Sequence, residues 1–259
     1  MKQLSKDKPF SLVLSGGGAL GIAHLGVLYD MEQKGLAPAE IVGTSMGGII
    51  GACMAIGMKE QEITRQIKAF SSLTKWIKFS FSGNAIIEHD KLERIFDTLF
   101  GSRSMADTIL PLKLVATNLR TGEKRVFDKK DKVLIRDAVL ATMAIPGVFE
   151  ERVIEGEVYG DGFLCENLGI TQAVHKDIVA VDVLGQGSFE SEMPDNFFKT
   201  ANVLEMFEKS MRLLIYNQTK ANIQMSSKNI LLLEPSVADF KTFHFHKINE
   251  IRERGLGLL

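Results

Sequence analysis

Short apolar runs in this chain alternate with stretches whose apolar residues recur every three or four positions, the pattern of buried strands interleaved with helices. Residues 10–14 read as a buried strand, 20–33 as a helix, 40–43 as a second short strand and 46–56 as a second helix. The chain therefore opens β-α-β-α. Apolar runs at 112–117, 178–184 and 230–233 predict further buried strands, with helical patterns around 90–99, 134–142 and 203–222. Residues 152–159 read as a hairpin turning at Glu155-Gly156. Such alternation predicts an α/β fold with a mainly parallel sheet covered by helices on both faces. Ligands of such sheets sit at the carboxyl ends of the strands, where both glycine-rich turns of this chain fall.

No repeat, low-complexity tract or Pro/Ser-rich linker divides the 259 residues, so one domain spanning 1–259 is expected. With 24% charged residues and a formal net charge of -1 there is no basic field, and nucleic acid is not an expected partner. Cys53 and Cys165 fit no C-x-x-C spacing, and no disulfide is expected. Residues 1–8 carry three lysines ahead of the apolar run at 10–14, but that run is too short for a signal peptide, and no stretch has the length of a membrane span. The expected location is cytoplasmic, with any membrane contact peripheral. Oligomeric state is not legible.

The sharpest chemical signal is Gly43-Thr44-Ser45-Met46-Gly47, a G-x-S-x-G between a predicted strand and a predicted helix. Such an elbow exposes the serine hydroxyl, and Gly43 and Gly47 let the backbone pass without a Cβ clash. A helix-capping serine in a plain turn is the competing reading. The second signal is Ser15-Gly16-Gly17-Gly18-Ala19-Leu20-Gly21, whose glycine N–H groups can converge on an anion as an oxyanion hole requires. Gly16, Gly18 and Gly21 also satisfy G-x-G-x-x-G, which makes dinucleotide binding a rival. That rival wants an acidic residue near the end of the next strand, where this chain has the serine elbow instead. The third signal is Gly160-Asp161-Gly162, a tight turn that can present a carboxylate at a sheet edge.

In order, and over most of the first 170 residues, these blocks resemble the patatin-like phospholipase family. The matching pieces are Gly16 to Gly21 running into Ala23-His24-Leu25-Gly26-Val27-Leu28, the elbow Val42 to Gly47, Ala144-Ile145-Pro146-Gly147-Val148-Phe149, and Tyr159-Gly160-Asp161-Gly162 followed by Asn167. The resemblance implies a three-layer α/β/α sandwich and a Ser45-Asp161 dyad without a catalytic histidine. It also implies an oxyanion hole from the amides of Gly16, Gly17 and Gly18, and hydrolysis of lipid acyl esters without metal or other cofactor. Phospholipases and lysophospholipases are both within that class. The chain departs from the family pattern at Leu20, where a cation is usual, at Phe163, where a small residue is usual, and at Leu168-Gly169, where proline often follows the asparagine. The missing cation predicts a preference for neutral or short acyl esters over anionic phospholipids, with Leu20→Arg raising activity on the anionic ones.

Two alternatives remain open at this point. A Ser-Asp-His carboxylesterase would draw its base from His175, His244 or His246, whereas His24 reads as a core or supporting residue. A lipid-binding or regulatory module with little turnover would keep the fold without the rate. His244 and His246 have no acidic or thiol cluster beside them, so no metal site is expected. Lys75-Trp76-Ile77-Lys78-Phe79-Ser80-Phe81 has the composition of a membrane interface. Leu204, Phe207, Met211, Leu214 and Ile215 fall at helical spacing, the signature of core packing or of a lipid groove. A carboxylate base of ordinary pKa predicts activity that persists below about pH 6, where a histidine base would be protonated.

Overall fold

A computed structural model describes residues 8–74, 89–189 and 200–259. An eight-stranded sheet carries the fold, built from β1 (Phe10–Leu14), β2 (Glu40–Thr44), β3 (Leu112–Asn118), β4 (Lys124–Phe127), β5 (Arg152–Ile154), β6 (Glu157–Asp161), β7 (Asp177–Val181) and β8 (Asn229–Leu233). Five strands run parallel in the order β3-β2-β1-β7-β8. The hairpin β5-β6 and the short strand β4 are antiparallel additions at β3. The helices are α1 (His24–Gln33), α2 (Ser45–Ala55), α3 (Glu60–Thr74), α4 (His89–Phe100), α5 (Ile135–Met143), α6 (Phe163–Glu166), α7 (Thr200–Met225) and α8 (Ile248–Glu253).

Because strand side chains alternate between faces, the sheet separates two cores. Leu12, Leu14, Ile41, Leu114, Ala116, Val179 and Val181 face a large core completed by α1, α2, α3, α5 and α8. Val13, Val42, Val115, Ile178 and Ala180 face a smaller one closed by Leu168, Ile170 and Ala173, with Ile223 of α7 packed against it. Both faces being covered, the parallel strands are apolar at consecutive positions rather than at alternate ones, and the fold is the expected α/β/α type. Full burial of each such leucine or isoleucine is worth about 1.5–3 kcal/mol relative to exposure. The frame beneath the loops is accordingly stiff.

The expected elements differ from the structure in ways with physical causes. Residues 18–23 form a 3-10 turn before α1 begins. The strand at 178–184 stops at Val181, because Asp182 Oδ1 accepts the N–H of Leu184 at 3.0 Å and bends the chain out of the ladder. The hairpin turns where expected, with Glu155 at φ 53° and Gly156 at φ 83°, the two positive values of a type I′ turn. Helix α3 was not anticipated, although Ile63 and Ile67 are buried at helical spacing. The segment Lys75 to Phe81 lies outside the described residues.

Candidate active site

Strand β3 brings the serine and the aspartate together. Along one edge, Leu114 to Thr117 pair with β4. On the other edge Leu112 to Val115 pair with β2, and Ala116 to Asn118 pair with β6. β2 ends at Thr44, opposite Val115, and β6 ends at Asp161, opposite Ala116. Running in opposite directions, the two strands abut end to end on a shared edge. Ser45 follows Thr44 directly, so it emerges beside Asp161.

Ser45 opens α2 with φ 52°, a left-handed backbone that costs a non-glycine residue about 1–2 kcal/mol. The strained strand-to-helix turn is the one expected, but Ser45 is only 5% exposed, so the hydroxyl is buried rather than open to solvent. The surrounding structure over-determines the turn. Ser45 N–H donates to Thr142 Oγ1 at 3.0 Å, and Thr142 in turn donates to the carbonyl of Val115. A Cβ on Gly47 would lie 2.5 Å from the carbonyl oxygens of Leu14 and Ser15, so only glycine lets α2 start against β1. Ser45→Gly should raise stability by about 1 kcal/mol through release of this strain. A chemical-denaturation midpoint at or below that of the wild type would show that Ser45 is not strained.

Asp161 is completely buried. Its N–H donates to the carbonyl of Ala144 at 2.8 Å, and its carbonyl accepts the Thr117 hydroxyl at 2.9 Å. Gly162 N–H reaches the carbonyl of Thr142 at 3.4 Å. The end of α5 therefore grips both the serine and the aspartate backbones. Oδ1 accepts the N–H of Phe163 at 3.0 Å, while Oδ2 has no hydrogen-bond partner of good geometry among the described residues. Burial pushes the carboxyl up to about 7, against the opposing pull of the Ser45 hydroxyl and the Phe163 N–H.

The glycine loop lies directly against the serine. A Cβ on Gly16 would fall 3.0 Å from Ser45 Cβ and 2.6 Å from Asn167 Oδ1. Asn167 clamps Gly16 from both sides, its carbonyl accepting the Gly16 N–H at 3.3 Å and its Nδ2 donating to the Gly16 carbonyl at 3.4 Å. Gly16 N–H is thus engaged, whereas the N–H groups of Gly17 and Gly18 have no main-chain acceptor among the described residues. His24 is fully buried and donates Nε2–H to the Ser15 carbonyl at 2.9 Å, which leaves Nδ1 unprotonated and unpartnered. Burial lowers its pKa to about 4, so it steadies the start of the loop as a neutral ring.

The other candidates have surroundings of their own. Leu20 is fully buried in the large core, so an arginine there would carry its charge into the core rather than toward a headgroup, and the expected benefit of Leu20→Arg loses its basis. His175 precedes β7 and donates its N–H to Ser11 Oγ at 3.2 Å, at the end of the sheet opposite the elbow. His244 Nδ1 accepts the N–H of Lys241 at 3.1 Å inside its own turn, with the His246 ring 5.3 Å away. On α7, Ile215 is buried while Leu214 is 64% exposed, so these two do not share one inward stripe, and the side chains of Leu204 and Phe207 lie outside the described residues. Cys53 and Cys165 are unbridged, and burial drives the Cys53 thiol up to about 12. Among the described residues no cluster of three His, Cys, Asp or Glu side chains could hold a metal ion. No helix of the described residues is long and apolar enough to cross a membrane. Sequence reasoning missed Thr142 and the two-sided grip of Asn167 on Gly16.

Comparison with known proteins places this geometry in context. A family model described as Patatin-like phospholipase matches residues 12–174, which hold the glycine loop, the elbow, Thr142 and Asp161. A Lysophospholipase NTE1 from Debaryomyces hansenii is 24% identical over 99% of this chain, and the match covers 18% of that protein. An uncharacterised NTE family protein from Mycobacterium tuberculosis is 28% identical over 63% of this chain and 45% of its own length. This chain therefore spans under half the length of these relatives. Among solved structures, VipD from Legionella pneumophila is similar over 95% of this chain and 67% of its own, at 14% identity and a TM-score of 0.46.

Proposed function

This chain belongs to the patatin-like phospholipase family, and from that premise we propose that it is a serine acyl hydrolase using a Ser45-Asp161 dyad on lipid esters. The reading takes residues 1–259 as one patatin-like hydrolase domain. The observation that carries it is the abutment of β2 and β6 on one edge of β3, which sets Asp161 beside the hydroxyl of a strained Ser45.

In this reading, Asp161 accepts the hydroxyl proton as Ser45 Oγ attacks the acyl carbonyl carbon, and the carbonyl π electrons move to oxygen. The oxyanion is held by glycine-loop amides, with Gly17 and Gly18 as the free donors beside Gly16. Collapse expels the alcohol, which takes the proton back from Asp161 and leaves an acyl-serine. Water, deprotonated by the same carboxylate, then attacks the acyl carbon, and as the acyl–Oγ bond breaks Ser45 takes the proton from Asp161 and the fatty acid leaves. A carboxyl near pKa 7 is better matched to these transfers at neutral pH than an ordinary aspartate, since an acid-base group works best near the working pH. No cofactor takes part.

Acyl esters of phospholipids or lysophospholipids are the proposed substrate class, in line with the lysophospholipase name of the Debaryomyces hansenii relative. Peripheral contact with a membrane surface follows from such a substrate, and the setting proposed is cytoplasmic. Fluorophosphonate should label the wild type at Ser45, because only an activated serine reacts readily. A nitrophenyl ester chain-length series run beside lysophospholipids should then show turnover. A properly folded protein that stays unlabelled would be the lipid-binding module instead.

A further inference from the structure

The glycine loop has an outer wall that none of the catalytic motifs contains. Ala19 N–H donates to the carbonyl of Thr242 at 2.8 Å, and a Cβ on Gly18 would meet that same oxygen at 2.5 Å and Thr242 Cγ2 at 2.7 Å. Gly18 sits at φ 55°, so the loop is pressed onto Thr242 in a conformation natural only to glycine. Thr242 is itself held from α7. Its hydroxyl donates to Glu208 Oε1. Arg212 Nη2 reaches Glu208 Oε1 at 2.8 Å and Thr242 Oγ1 at 3.1 Å, and Nη1 reaches the Ser188 carbonyl at 3.4 Å. One helical turn thus supplies an ion pair whose two members converge on a single threonine.

We propose that Glu208 and Arg212 are positioning residues for the oxyanion loop, acting through Thr242 to hold Gly18 and Ala19 in place. The proposal rests on the reading of the glycine loop as the oxyanion hole, with Gly17 and Gly18 as its donors because the Gly16 N–H is taken by Asn167. Three consecutive glycines have unusual backbone freedom, and donors stabilise a developing oxyanion only if they are aimed before the reaction begins. The Asn167 clamp holds the first glycine; the Thr242 carbonyl and its α7 supports hold the far end. Neither Glu208 nor Arg212 contacts substrate in this account. Their loss should therefore act on the chemical step rather than on binding.

The test uses the full chain, a short-chain nitrophenyl ester and the variants Thr242→Val, Thr242→Ser, Glu208→Gln and Arg212→Met. Thr242→Val keeps the shape and loses the hydroxyl; Thr242→Ser keeps the hydroxyl. Misplaced donors should lower kcat about tenfold or more in Thr242→Val, Glu208→Gln and Arg212→Met with KM little changed, while Thr242→Ser works near the wild-type rate. Hydrogen exchange at the Ala19 amide, which the Thr242 carbonyl protects, should speed up in the slow variants. Wild-type kcat in Thr242→Val, Glu208→Gln or Arg212→Met would overturn the proposal, as would a loss confined to KM. Equal damage in Thr242→Ser and Thr242→Val would reduce the role to packing and overturn it too. Ser45→Ala in the same assay tests the underlying reading separately: if it stays active, the hydrolase reading fails, whatever the clamp variants do.

Discussion

Ser45→Ala should lower kcat on acyl esters by about a thousandfold or more while the folded structure persists, because it removes the hydroxyl proposed to form the acyl intermediate. The side chain contributes little to the fold. Ser45 is held through its backbone, by the N–H bond to Thr142 Oγ1 and by the close approach of Gly47 to Leu14 and Ser15. Alanine keeps both, together with the strained φ, so the melting temperature should hardly move. The rate loss then reads as lost chemistry rather than lost protein. Steady-state kinetics beside a thermal melt is the measurement, and a variant with near-normal turnover would end the assignment of Ser45 as nucleophile.

Asp161→Asn should lower kcat about a hundredfold to ten-thousandfold, the usual span for removal of a general base, and should at the same time make the protein more stable at neutral pH. The sign follows from the raised pKa. The folded protein holds the Asp161 proton up to about pH 7, whereas the unfolded chain releases it near the ordinary value of 3.8. Stability from this group is full below the unfolded value and is lost as pH rises through the folded one. A shift of about three units corresponds to at most about 4 kcal/mol. Asparagine carries no such ionisation, so the variant should show a flatter stability curve between about pH 4 and 7 and a higher denaturation midpoint at pH 8. A midpoint at pH 8 below that of the wild type would mean that the buried charge is compensated by something not identified here.

The same raised pKa changes how activity should depend on pH. A carboxylate of ordinary pKa would work well below pH 6, but a base held up to about 7 stops accepting protons in the range where a histidine would. The acid limb of kcat/KM is therefore expected near pH 7, and its position no longer separates the two mechanisms. The variants do so. Loss of activity in Asp161→Asn with His175→Ala, His244→Ala and His246→Ala unimpaired assigns the base to the carboxylate.

Much of the site was legible because its signals are local. A strand, a G-x-S-x-G turn and a helix declare an elbow within a few residues, and consecutive glycines declare a backbone that approaches something closely. The environment of Asp161 was not legible. Its burial and its raised pKa come from β6 meeting β2 across β3, a pairing that no window of sequence contains. Thr142 was missed for a similar reason: a threonine in an apolar helix has no distinctive spacing, and its hydroxyl matters only because Ser45 N–H and the Val115 carbonyl arrive beside it. Leu20 shows the opposite failure. Its place in a chemically suggestive loop invited a role at the site, whereas its side chain turns wholly into the core.

The abutment of β2 and β6 also sets where this chain can change length. Asp161 and Tyr159 lie on the same face of β6, and both are buried. Inserting or deleting one residue between the β5-β6 turn and Asp161 would rotate every side chain beyond it to the other face of the sheet. The carboxylate would then leave the serine even though the hairpin still formed. Extra residues at Glu155-Gly156 would be absorbed by the turn, since Asp161 takes its place from Ala116 and Ala144 rather than from the hairpin's tip. Length variation at 155–156 is therefore compatible with activity, and length variation at 157–161 is not.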